Sequence, residues 1–349
     1  MKIKKLILGT TAIVLAAVLV GCSSGKDTKN STATSSSITK SSKQALGTII
    51  PFTSKDFLGE STFKSGSTYY TYSSDNMSGT PHVRLVSSPD NEKFSSPTSA
   101  DILPALPGWA TEADKITRPG IWKIADQYVL YGAFQSNQYL AVGTAVSSTP
   151  EGPYTPADQP LLQAAEGVVS NYFDASIYQE DGKVYILYAT DQALGFNIWI
   201  QELSADGLST VGEPTQLLDY TQIPKTDNSG PVQLVERPAL VKAADGKYVM
   251  FFSSDGVDLD GSYIGYATAA SVMGPYTFEG PFVTTDQMKD GLKGPSEPTI
   301  FQDGDANYLI FNAWQGEHNG WDGIGNTASW MRYRTPFVWK DGHTPSLNK

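Results

Sequence analysis

Five stretches of this chain repeat one pattern, and that recurrence limits the possible folds more than any other feature. STFKSGSTYYTYSS begins at Ser61, PGIWKIADQYVLYGAF at Pro119 and ASIYQEDGKVYILYAT at Ala175. PALVKAADGKYVMFFSS begins at Pro238 and PTIFQDGDANYLIFNAW at Pro298. The starts lie 58, 56, 63 and 60 residues apart. Each stretch is an apolar alternating run, a polar turn and a second run of β-branched and aromatic residues, the sequence form of a β-hairpin. Third strands follow and also resemble one another: YLAVGTAVSSTPEGPYT (139–155) and YIGYATAASVMGPYT (263–277) are near copies, and HVRLVSSPDNEKF (82–94) is a shorter version. No long segment carries a helical period. Units of about sixty residues with three or four strands each describe radial repetition of small sheets. The expected fold is all-β, a five-bladed β-propeller; a β-sandwich would not repeat so evenly.

Ahead of the repeats, MKIKK and a mostly apolar LILGTTAIVLAAVLV run end in LVGC at Cys22. That order is a secretory signal closing in a lipobox, whose cysteine is acylated after cleavage. The apolar run is short for the ~20 residues of a spanning helix. Residues 1–22 are therefore expected to be a lipoprotein signal peptide, with Cys22 the lipidation site that holds the protein on the outer face of the cell membrane. Residues 23–47 are rich in Ser, Thr and Lys and cannot bury enough apolar surface to order themselves, so they read as a tether. The propeller takes 48–349. Cys22 is the only cysteine, so no intrachain disulfide is available and the domain depends on core burial. A net charge of −11 argues against nucleic acid as a partner. The domain reads as a monomer.

In a propeller the innermost strand of each blade lines a central channel, so the residues that open those strands converge at one mouth. Asp174 opens the third repeat, and Glu236, in VERPALVK, opens the fourth at what reads as the same offset. Two carboxylates brought together in a cleft suit glycoside hydrolysis, in which one group protonates the leaving oxygen and another activates water. Burial and mutual repulsion would keep the acid protonated. Position alone leaves open that both are turn or ladder-end groups.

The same residues carry a resemblance. FDASIYQEDGKVYILY is similar to the Asp-Ala-Ser or Asp-Pro-Ser blade of glycoside hydrolase family 43, and VERPALVKAADGKYVMFFSS to its Glu-x-Pro blade. IWIQELSADGLSTVGEPTQLL (198–218), ALPGWA (105–110) and both GPYT segments also resemble that family, over essentially all of 50–345. The resemblance implies a glycosidase acting on arabinofuranosides or xylosides of plant-derived poly- or oligosaccharides. It assigns Glu236 as general acid and Asp174 as the residue that orients it and tunes its pKa. The family's general base, an Asp at the start of blade one, falls on Gly59 in KDFLGESTFKSGSTYYTY. Glu60 beside it and Asp56 three residues earlier are the candidate substitutes; Glu60 is favoured as the base, with Asp56 left on the substrate side. Strand alternation would turn Glu60 away unless a bulge at Gly59 turns it back.

Two more departures stand nearby. ITRPGIWKI has Thr117 and Gly120 where the family shows an aromatic and an acid. GPSEPTIF has Glu297 where a His is usual; it reads as a hydrogen-bonded carboxylate or as a ligand of a structural Ca²⁺, an oxygen-seeking ion. The chemistry needs no cofactor. Trp109, in ALPGWA, is a candidate to stack on a sugar, with plain packing the alternative. Arg332 and Arg334 compete for a substrate-side role, and Arg332 is carried as the candidate. Arg237 should point to the opposite face of its strand and form a structural ion pair, and Trp314 should pack within blade five. The histidines His82, His318 and His343 have no zinc-site spacing. Three functions fit: an inverting glycosidase, a surface carbohydrate-binding propeller that has lost its base, and a retaining fructosidase. The last lacks its expected Asn-Asp-Pro and Arg-Asp-Pro motifs.

Overall fold

A computed structural model of the chain describes residues 49–53, 61–74, 82–97, 100–111, 116–192, 194–224, 233–254, 261–316 and 329–347. The lipobox Cys22, the tether, Asp56, Gly59, Glu60 and His318 lie outside the described residues. The first strand, β1 (Ile50–Pro51), is short. Blade one then holds β2 (Ser61–Ser65), β3 (Thr68–Ser74) and β4 (Val83–Ser88). Blade two is β5 (Ile116–Ile124), β6 (Gln127–Ser136), β7 (Tyr139–Ser147) and β8 (Thr155–Pro156). Blade three is β9 (Tyr172–Glu180), β10 (Lys183–Gln192), β11 (Gly195–Leu203) and β12 (Thr210–Asp219). Blade four is β13 (Val235–Lys242), β14 (Tyr248–Ser254), β15 (Tyr263–Ala269) and β16 (Thr277–Thr284). Blade five combines β17 (Leu292–Asp303), β18 (Ala306–Gln315) and β19 (Ser329–Lys340), with β20 (Thr344–Ser346) paired to β19. The expected five-bladed propeller is the observed fold.

Closure of the ring is shared between the two ends of the domain. Strand β1 pairs antiparallel with β19, Ile50 opposite Arg334 and Pro51 opposite Tyr333, so an N-terminal strand adds to the last blade. Next to it, Lys64 and the Tyr69 hydroxyl both donate to Asp303, at 3.1 and 2.5 Å, joining blade one to blade five.

The second run of each repeat is apolar on both faces because it lies between two neighbouring blades. A buried cluster fills each seam, and a second, smaller one joins blades two and three through Ala133, Phe173 and Ala189. Tyr72 and Ile121 meet between blades one and two, Tyr131 and Ile186 between two and three, and Leu187 and Phe252 between three and four. Phe251 and Phe311 pack between four and five, and Tyr69 and Phe301 between five and one. Such burial contributes ~25 cal/mol per Å² of apolar surface and takes the place of disulfides. The two GPY copies share a local form. Tyr154 and Tyr276 are buried, and their hydroxyls donate to the carbonyls of Pro150 and Val272, four residues back in each case.

Candidate active site at the channel mouth

Each inner strand of blades two to five carries a bulge near its start. In β5, Thr117 faces Ala133 and Gly120 faces Tyr131, so three residues on one strand span two on the other. The same slip occurs between Phe173 and Ser176 in β9, Glu236 and Ala239 in β13, and Ser296 and Thr299 in β17. At each bulge one residue adopts the left-handed backbone region: Arg118 (φ 57°), Asp174 (57°), Arg237 (57°) and Glu297 (55°). A non-glycine residue there costs about 1–3 kcal/mol and marks a position held for another reason. Here the reason is visible, since the kink turns four charged side chains into one mouth.

Around the channel their charges alternate in sign, one per blade. Arg118 Nη1 donates to Asp174 Oδ1 at 2.5 Å. The Arg237 backbone N–H donates to Asp174 Oδ2 at 3.1 Å, and its Nε lies 3.3 Å from Oδ1. Arg237 Nη2 donates to Glu297 Oε1 at 2.6 Å, and Asn312 Nδ2 to Glu297 Oε2 at 2.7 Å. The Ser253 hydroxyl accepts from the Glu297 N–H at 2.6 Å. Glu236 sits beside this ring, and Arg118 Nη1 also reaches its Oε2 at 3.2 Å. The structure thus brings Asp174 and Glu236 to one guanidinium, as convergence at the mouth required.

The equal offset expected for the two carboxylates is corrected. Asp174 is equivalent to Arg237, whereas Glu236 is one residue earlier, in the place of Phe173. Because of the bulge, Glu236 and Arg237 both serve the mouth although they are adjacent. Arg237 therefore does form a structural ion pair, but it does so in the channel and not on the opposite face. Strand alternation fails at this point because the left-handed residue breaks it.

Electrostatics separate the groups. Burial pushes the pKa of Glu236 up; Arg118 and Arg237 work against that rise, Asp174 reinforces it, and the net direction is upward. Burial also works against the charge of Arg118, but Asp174, Glu236 and Glu297 outweigh it and keep the guanidinium protonated. Placing two arginines among three carboxyl groups offsets much of the cost of burying so many charged side chains together.

Arg332 is 1% exposed. Its Nη1 donates to the Glu297 carbonyl and Asn312 Oδ1, both at 3.1 Å, and its Nη2 to Thr299 at 2.6 Å. It braces Glu297 through that carbonyl and also lines the cavity at the mouth. Arg334 donates to the Asn91 carbonyl and lies over the Tyr308 ring, with 4.7 Å from its guanidinium carbon to the ring centre. Trp109 packs edge-on against Phe134 and donates to the Ala157 carbonyl at 3.3 Å, so it serves blade two as a core residue. Trp314 is buried and stacks on Trp330, as expected. The Ca²⁺ considered at Glu297 does not fit: both of its carboxylate oxygens accept from donors, one of them a guanidinium. Among the described residues no group of three or more His, Cys, Asp or Glu side chains could hold a metal ion.

Arg118, Arg237 and Asn312 were not read as site residues from the sequence. For the two arginines a signal was present, since a charged residue directly precedes Pro119, Ala175, Pro238 and Pro298 in four successive repeats.

Comparison with known proteins agrees with this blade-by-blade picture. The model of glycosyl hydrolases family 43 matches residues 50–345. The chain belongs to glycosyl hydrolases family 43. It is accordingly a glycoside hydrolase, of the class that cleaves O-glycosyl bonds. Among solved structures, a thermostable family-43 glycoside hydrolase is 22% identical, with a TM-score of 0.68, 87% of this chain covered and 96% of that one. An endo-arabinase from Bacteroides thetaiotaomicron VPI-5482 is 21% identical, with a TM-score of 0.64 and 86% and 100% covered. An endo-1,4-beta-xylanase from the same organism is 22% identical, with a TM-score of 0.66 and 84% and 96% covered. At these identities the likeness carries the propeller fold. A search of curated protein sequences returned no match.

Within the family-43 frame, the mouth is lined by Arg118, Asp174, Arg237 and Glu297, together with Ser61 and Trp122. Glu236 lies behind Arg118, and its side chain is 3% exposed. The cavity measures about 90 Å³, small beside the ~300–1,000 Å³ of ordinary ligand pockets.

Proposed function

We propose that the protein is a lipid-anchored glycosidase on the outer face of the cell membrane. It would cleave arabinofuranosyl or xylosyl linkages of plant-derived poly- or oligosaccharides with inversion. The observation that carries this reading is Glu236, a buried carboxyl whose pKa burial pushes up and which stands beside a fully buried Asp174 at the channel mouth. A carboxyl whose pKa is raised by burial is suited to protonate a leaving glycosidic oxygen. Asp174, held by Arg118 and by the Arg237 backbone, fixes the local charge. Glu60 is the proposed base, activating water on the far side of the sugar; inversion asks for ~6.5–9.5 Å between acid and base carboxyls. The arabinanase and xylanase names of the structural neighbours support the choice of sugars. The LVGC motif supports the anchor.

A second reading rests on Arg118, which covers Glu236, and on Gly59 at the family's base position: a surface propeller that binds carbohydrate without cleaving it. The test is sugar release from aryl arabinofuranoside, aryl xyloside, arabinan and arabinoxylan, with Glu236→Gln and Glu60→Gln beside the wild type. Release that vanishes in both variants supports the hydrolase with Glu60 as base. Oligosaccharide binding with no release from any substrate supports the binding protein.

A further inference from the structure

Arg118 touches both carboxylates assigned to the acid side of the reaction, and only its hold on Asp174 has a part in the chemistry proposed above. It comes from β5, whereas Asp174 and Glu236 come from β9 and β13. One nitrogen, Nη1, makes both contacts, 2.5 Å to Asp174 and 3.2 Å to Glu236. Its side chain is 22% exposed and lines the mouth, and Nε and Nη2 have no hydrogen-bond partner among the described residues. A left-handed backbone at Arg118 aims the side chain inward.

We propose that Arg118 is a positioning residue for the proton donor: its Nη1 ties Glu236 to Asp174, and it must leave Glu236 for a substrate oxygen to reach that carboxyl. This deepens the proposed function and rests on Glu236 being the acid. The two contacts are unequal. The bond to Asp174 is short and made to a carboxylate that is 0% exposed, while the bond to Glu236 is longer. Arg118 can therefore swing about Asp174 and release Glu236 without losing its stronger anchor. Departure of a cation favours the protonated carboxyl, so the proton is held most firmly when the leaving oxygen arrives. The other charged groups facing Glu236 are Asp174 from β9 and Arg237 from its own strand, with Glu297 of β17 acting through both arginines.

The experiment compares the full-length wild type with Arg118→Gln and Arg118→Lys in two readouts. The first is the titration of Glu236 by ¹³C-carboxyl NMR, identified by its loss in Glu236→Gln; it needs no turnover. The second is the pH profile of kcat/KM on whichever test substrate is cleaved. Removing a cation in contact should raise the Glu236 titration by about 1–3 pH units, with Arg118→Lys falling between. The alkaline limb of the rate profile should move up by the same amount. An unchanged titration, or a loss of rate equal at every pH, overturns the proposal. If no substrate is cleaved, the hydrolase reading fails by itself, and the NMR titration still decides whether Arg118 controls Glu236.

Discussion

Arg237 offers the sharpest test of how the mouth is held, because two opposing effects meet at one residue. Its side chain is 12% exposed and pairs with Asp174, which is fully buried, and with Glu297, which is 4% exposed. Deleting one partner of a buried charge cluster leaves its neighbours uncompensated and costs about 3–5 kcal/mol. The same residue stands at φ 57°, where a side chain costs roughly 1–2 kcal/mol that glycine does not. Arg237→Ala should then lose about 3–5 kcal/mol, as it keeps the strain and loses the pairs. Arg237→Gly should lose about 1 kcal/mol less, since glycine accepts the left-handed region but adds chain entropy to the unfolded state. For a domain of this size each kcal/mol moves Tm by about 2–4 °C, so the two variants should melt a few degrees apart and both well below wild type. Urea unfolding with matched slopes reads the difference directly. Equal midpoints for Ala and Gly would refute the strain argument. Wild-type midpoints for both would refute the buried-pair argument.

Three further outcomes follow from the same geometry. Glu236→Gln should lower turnover by about 10²-fold or more with the fold intact, the size of a lost general acid; turnover within a few-fold of wild type would remove Glu236 from the chemistry. Glu236 also gives stability a pH dependence. Its folded pKa is raised above the ordinary 4.5, so the folded state binds more protons between those values and loses stability as pH rises through that window. Glu236→Gln lacks this loss, so its stability relative to wild type should improve from about pH 4 upward; a difference that stays flat in urea titrations would contradict the raised pKa. Arg332→Met should destabilise by about 3 kcal/mol, because the Glu297 carbonyl, Asn312 and Thr299 lose a buried donor; an unchanged urea midpoint would show that the brace is not needed.

Much of the fold was legible because it is written in local periodicity. A hairpin needs only an alternating run, a turn such as Asp181-Gly182 and a second run, all within about twenty residues. Five returns at near-equal spacing leave few ways to bury the second runs other than against one another, and Tyr131, Leu187, Phe252 and Phe311 do lie in the seams. The likeness of VERPALVK and FDASIYQE to one family was legible for the same reason, being carried by contiguous residues.

The mouth was legible only in part. Asp174 and Glu236 could be nominated from the sequence, but strand alternation then misdirected the reading of Arg237. A single left-handed residue adds one position to the inner strand and reverses which side chains enter the channel, and nothing in a period of two announces it. The residues before Pro119, Ala175, Pro238 and Pro298 looked like four unrelated charges because their partners are separated by 56 to 63 residues. Only closure of the ring sets Arg118 against Asp174 and Glu236, and Arg237 against Asp174 and Glu297. The sequence by itself determined the blades, since, β1 apart, the strand pairing of each lies within one short segment. Tertiary structure alone decided the charge ring, because Coulomb partners are chosen by distance in space and burial, and neither is a property of any one repeat.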